Sequence, residues 1–137
     1  MESRFIEVTE RGERLVINVS EIQEVSAHSE VGTLIQFRRG KENFEVYTVE
    51  EEIEEMKSLL NFGANAKHKY AVTVDGERFI EFSRNGESVL VKVSEIKLIK
   101  PFLCGAKIVY KGFDYLADYG GYVDQEVDEC FARLKQA

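Results

Sequence analysis

The chain has 137 residues, 44% hydrophobic and 31% charged, with a formal net charge of −7. Such a composition supports a packed core and excludes a disordered chain, and no apolar run approaches the roughly 18 residues that a membrane-spanning helix needs. Two cysteines, Cys104 and Cys130, are too few for a secreted disulfide scaffold, so a cytoplasmic protein without a signal-peptide core is expected.

From the N-terminus, Ile6 and Val8 alternate with polar neighbours, the period of a half-buried strand. Arg11-Gly12 breaks it, and Leu15, Ile17 and Val19 share one face of a return strand. "SEI" marks a corner, where Ser20 is expected to bond its own backbone. Two more strands are expected at "TLIQFRR" and "NFEVYT". Thr48 with Glu51 fits a helix capping box, followed by an apolar stripe of Val49, Ile53, Met56 and Leu60. Glu50, Glu51 and Glu52 then fall in the first turn, where the helix dipole favours negative charge. The segment "NFGANAKH" reads as a short linker.

The chain then repeats itself. "FIEVTERGERLVINVSEI" at 5–22 and "FIEFSRNGESVLVKVSEI" at 79–96 share nine of eighteen residues. "VDQEVDECFARL" at 123–134 lies over "VEEEIEEMKSLL" at 49–60, and puts Cys130 in the core position of Met56. Asn85-Gly86 matches Arg11-Gly12, Val91 matches Ile17, and Ser94 matches Ser20. Strands are expected at "AKIVYK" and "DYLADY", and an extra strand at Tyr70–Val74 turns through Asp75-Gly76 onto the repeat. The expected fold is α+β: a tandem duplication of a small antiparallel, barrel-like β unit ended by one α-helix, with pseudo-twofold symmetry. Unit one is 1–62 and unit two is 63–137. A unit of some sixty residues is marginal alone, so the two are expected to pack together.

The strand–turn–strand pattern of 5–60, with its acidic closing helix, resembles the small bacterial proteins of the flagellar FlbD (swarming motility) type and related short phage and bacterial proteins. Residues 79–134 resemble them less closely. The resemblance implies a binding or regulatory module and brings no catalytic residues with it.

Charge separates the halves. Residues 1–62 hold 14 acidic and 7 basic side chains, whereas 63–137 hold 11 of each. The acidic helix residues Glu50, Glu51, Glu54 and Glu55 are therefore the candidate contact for another protein of basic character. A phage-borne inhibitor of a host system is a special case of that reading. Unit two interleaves lysines with aromatics, and Lys92, Lys107, Lys111, Tyr110 and Tyr115 form a candidate site for a small ligand or nucleotide. The acidic balance makes nucleic acid the weaker partner class. "RRGK" at 38–41 is a minor anion candidate.

Catalysis finds little support. His28 and His68 are the only histidines, and a Ser26/His28 pair without a placed acid is no triad. No ligand set has zinc spacing, and no cofactor motif stands in the chain. "GGYVD" at 120–124 lacks the lysine and spacing of a phosphate loop and reads as the turn before a helix. A non-catalytic module is expected.

Overall fold

The computed structural model describes residues 5–28, 32–39, 43–60, 62, 70–74, 76–111 and 120–135. The order of elements is β1 Phe5–Glu10, β2 Glu13–Asn18, β3 Ile22–Ala27, β4 Thr33–Arg39, β5 Asn43–Val49 and α1 Ile53–Leu59. It continues with β6 Ala71–Val74, β7 Glu77–Arg84, β8 Glu87–Lys92, β9 Ile96–Phe102, β10 Gly105–Tyr110, β11 Gly120–Val123 and α2 Val127–Leu134. A single 3-10 turn separates β2 from β3 at Val19–Glu21, and another separates β8 from β9 at Val93–Glu95. The protein is thus α+β and built on antiparallel sheets.

Both long hairpins turn through two residues with positive φ, Arg11 and Gly12 in one, Asn85 and Gly86 in the other. That is the geometry whose twist matches the flanking strands. Residues Phe5 to Asn18 and Phe79 to Lys92 pair in the same register. In the first corner the Asn18 carboxamide accepts from the Ser20 N–H at 3.0 Å and from its hydroxyl at 2.8 Å. The serine therefore bonds its neighbour's side chain rather than its own backbone.

The strands β3 and β9 stand where sequence periodicity gave only a corner. β3 is decisive for the architecture. It pairs antiparallel with β4 on one edge and with β8 on the other. The result is a six-stranded sheet in the order β5-β4-β3-β8-β7-β6, drawn from both sides of residue 62. β9, β10 and β11 form a three-stranded sheet, and β1 and β2 a two-stranded one.

Two apolar clusters fill the interior. The first takes Ile6, Val8 and Ile17 from β1–β2, Ile22, Val25 and Ile35 from β3–β4, and Met56 and Leu60 from the α1 region. It also takes Val74, Phe79 and Leu90 from β6, β7 and β8. The second holds Ile80, Phe82, Val89 and Val91 with Ala106, Ile108, Val123 and Cys130. Successive side chains of a strand point to opposite faces, so β8 sends Leu90 into the first cluster and Val89 and Val91 into the second. Ile17 and Val91 are both buried, as expected.

Helix α1 begins later than the sequence suggested. Thr48 lies in β5, and the capping box is made by Glu52 and Glu55. "GGYVD" is no helix turn either: Gly120–Val123 is the strand β11. The segments 63–69 and 112–119, with the expected linker residue His68 and the strand "DYLADY" up to Tyr119, lie outside the described residues.

Both cysteines are free, Cys104 exposed and Cys130 buried. Burial pushes the Cys130 thiol up to about 11, with Glu129 adding to the rise and Arg133 opposing it. A thiol reagent at mildly alkaline pH should therefore label Cys104 at once and Cys130 only as fast as the protein opens. Mass spectrometry of the native protein checks this; prompt double labelling would contradict the core position of Cys130.

Candidate functional site

Two of the four candidate contact glutamates hold the first half together. The Gly12 N–H donates to the Glu50 carboxylate at 2.7 Å. Glu51 accepts from the Thr9 N–H at 2.8 Å and from its hydroxyl at 3.0 Å. These bonds fasten the β5–α1 connection onto the β1–β2 turn. With Glu50 and Glu51 bonded to β1 and its turn, α1 begins only at Ile53, behind its N-cap Glu52. Glu54 and Glu55 remain exposed on α1, and Glu50 and Glu52 are exposed just before it. Lys57 joins the halves, with its ammonium 2.9 Å from Glu81 and 3.7 Å from Glu54.

The second half has the same fastening. Asp124 accepts from the Gly86 N–H at 2.9 Å, the Asn85 N–H at 3.0 Å and the Ser83 hydroxyl at 2.9 Å. The bond from Gly86, with those from Ser83 and Asn85, holds the Asp124 carboxyl below its ordinary range. Gln125 accepts from the Ser83 N–H at 2.9 Å.

The lysine–aromatic candidates face inward for the most part. Lys92 is buried, donates to the Ser20 carbonyl and lies 5.8 Å from the centre of the Phe79 ring. Lys107 is buried and sits 5.4 Å over Phe102. Tyr110 is buried and donates its hydroxyl to Glu24. Lys111 is exposed. Tyr115 lies outside the described residues, as do the side chains of "RRGK". The expected open cation–aromatic surface is corrected to that extent: Lys92, Lys107 and Tyr110 are taken up in internal contacts.

What replaces it is a charged junction that sequence inspection did not single out. Arg84 of β7 clamps the buried Glu24 of β3 with two bonds, at 3.0 and 3.1 Å. Its Nε donates to the Tyr122 carbonyl at 2.7 Å, and the guanidinium lies 5.6 Å from the Tyr122 ring centre. Burial alone would lower the Arg84 pKa, but the charge and hydrogen bonds of Glu24 outweigh it and the net direction is upward. Burial, then the Glu24 charge, drives the Tyr110 phenol well above its ordinary range. Gly121 completes the junction: a Cβ there would stand 2.0 Å from Arg84 Nη2 and 2.7 Å from Glu24 Oε1. A side chain at this position would have to displace the Arg84 guanidinium from Glu24.

Beside this junction opens a cleft of about 600 Å³, lined by Ser26, His28 and Leu34 on one side and Arg84, Glu87 and Ser88 on the other. Among the described residues no group of three or more His, Cys, Asp and Glu is arranged to hold a metal ion. No helix among them is long and apolar enough to cross a membrane. No protein family, curated protein or solved structure matches this chain.

Proposed function

We propose that the protein is a non-catalytic binding module made of two copies of one unit, 1–62 and 63–137, that recruits a basic protein through the acidic face of α1. The duplication is supported by the repeated order of elements and by fastenings 74 residues apart: Glu50 on Gly12 and Asp124 on Gly86, Glu51 on Thr9 and Gln125 on Ser83. The binding role is supported by one observation above the others. Glu54 and Glu55 are exposed on one short helix, with Glu50 and Glu52 exposed just before it, while its other side is anchored by Met56, Leu60 and the Lys57–Glu81 pair. A rigid acidic face of this kind steers basic partners and loses strength with salt. The FlbD-type resemblance points to a regulatory role of the same sort.

Capture from a cell extract tests the proposal. The wild-type chain should retain a basic protein at low ionic strength, and Glu54→Lys with Glu55→Lys should abolish retention in a chain that still melts in one cooperative transition, lowered somewhat because Glu55 closes the capping box. Equal capture by both would count against α1. The cleft beside Arg84 favours a second reading, a small-ligand or nucleotide binder. A nucleotide-dependent rise in melting temperature without protein capture would select it.

A further inference from the structure

The hairpins β1–β2 and β7–β8 share a turn and a register but have opposite surroundings. On β7–β8, Phe79 and Leu90 are completely buried in the first cluster. Their counterparts on β1–β2, Phe5 and Val16, are 58% and 60% exposed. The strand edges show one reason. β8 has a second neighbour, β3, with Glu24 opposite Val91, Val25 opposite Leu90 and Ser26 opposite Val89. Among the described residues β2 pairs with β1 alone. β2 borders a groove of about 280 Å³, lined by its own Leu15, Val16 and Ile17 and by Phe37, Glu45 and Tyr47 of β4 and β5.

An open strand edge with apolar side chains beside it is a template for another strand. The chain carries a strand of complementary character. β9 follows the second 3-10 turn as β3 follows the first. Among the described residues it pairs on one edge only, with β10. Leu98 of β9 is 43% exposed, and Lys97 and Lys100 are exposed beside it. Glu21 and Glu45 line the β2 groove, and Glu13 is exposed on β2 itself. The β9 lysines thus bring positive charge to a groove whose charged lining, Glu21 and Glu45, is acidic, and apolar residues meet apolar ones. Within one chain the seam is not made, since β9 belongs to a separate sheet and Val16 stays open.

We propose that β9 of a second copy of this chain pairs antiparallel with β2, in the register that β3 adopts on β8. Leu98 then lies opposite Ile17, Ile99 opposite Val16 and Lys100 opposite Leu15. A twofold arrangement makes the seam twice. The register rests on the proposed duplication; the association rests on the open edge and its charge complement.

Sedimentation equilibrium of the full chain over a dilution series tests the association. The wild type should dimerise reversibly, and more weakly as salt rises. Val16→Lys should weaken the dimer by about tenfold or more, with an unchanged melting temperature at concentrations where both chains are monomeric. The register is tested with V16C and I99C chains, each carrying Cys104→Ser, mixed and mildly oxidised. Cross-links between the two kinds of chain should dominate. A wild type that stays monomeric at every concentration would overturn the proposal, as would a dimer that Val16→Lys leaves intact. V16C chains that link only to each other would replace β9 with β2 as the partner strand. A chain carrying both cysteines that closes its bridge as a monomer would assign the seam to a single molecule. An acidic-face failure in the capture experiment leaves these outcomes untouched, so the two readings fail separately.

Discussion

Replacing Arg84 by Leu should destabilise the protein by about 3–5 kcal/mol, the cost of leaving a buried carboxylate without its cation. Glu24 is 5% exposed and takes two of its bonds from the Arg84 guanidinium. The Tyr110 hydroxyl also donates to it, but a neutral donor cannot balance the charge. Arg84 also holds the Tyr122 carbonyl, so the same change loosens β11 from β7. Lys at this position should rescue only part of the loss, because an ammonium cannot reproduce the two-pronged fork. Replacing Glu24 and Arg84 together by Leu should cost less than Arg84→Leu alone, since no charge is then left stranded. Urea unfolding of the three variants decides the matter. A loss under about 1 kcal/mol for Arg84→Leu would mean that Glu24 is well hydrated, against its burial.

Truncation of Phe79 to Ala should cost about 3–5 kcal/mol and lower one transition for the whole chain. Phe79 is completely buried, and although it lies beyond residue 62 it packs in the cluster of Ile6, Val8 and Ile17. Ile17→Ala, on the other side of the same cluster, should cost about 2–5 kcal/mol and move the same transition. A domain has only about 5–15 kcal/mol to lose, so either change is visible in a melt. Calorimetry is the test. Two separated transitions in Phe79→Ala, with only one displaced, would show that β3–β8 pairing does not couple the halves.

The hairpins were legible because each relies on local signals: period-two alternation around Arg11-Gly12 and Asn85-Gly86, with the twist of the turn doing the rest. The helix stripes were legible in part: Ile53 and Met56 lie on α1, and Val127, Cys130 and Leu134 on α2, whereas Val49 and Val123 belong to β5 and β11. β3 was not. Its "IQEVSA" keeps Ile22, Gln23, Glu24 and Val25 all buried, so no alternation marks it. Polar residues there are tolerated because distant chain supplies their partners: Gln36 and Glu95 for Gln23, Arg84 and Tyr110 for Glu24. β9 was hidden by Pro101 and its exposed lysines, which are features of an edge strand. The charged junction was illegible for the same reason as β3. Glu24 and Arg84 are 60 residues apart, and no spacing rule connects them. Glu50 and Glu51 show the converse: the sequence places them with Glu54 and Glu55 in one contact face, and these two of the four instead fasten the chain to β1 and its turn.

The crossing of β3 onto β8 also governs how the two hairpins are free to change over generations. Val89, Leu90, Val91 and Lys92 are consecutive and all buried, and they answer to two different clusters. A substitution at any of the four meets resistance from one side or the other. On β2, Arg14 and Val16 face water and Leu15 and Ile17 face a single cluster. Packing therefore constrains β8 from both faces and β2 from one. Under the proposed duplication, likeness between the two hairpins should fade first at the outward positions of β2, and a chain cut back to its first half would expose the core that Phe79 and Leu90 now cover.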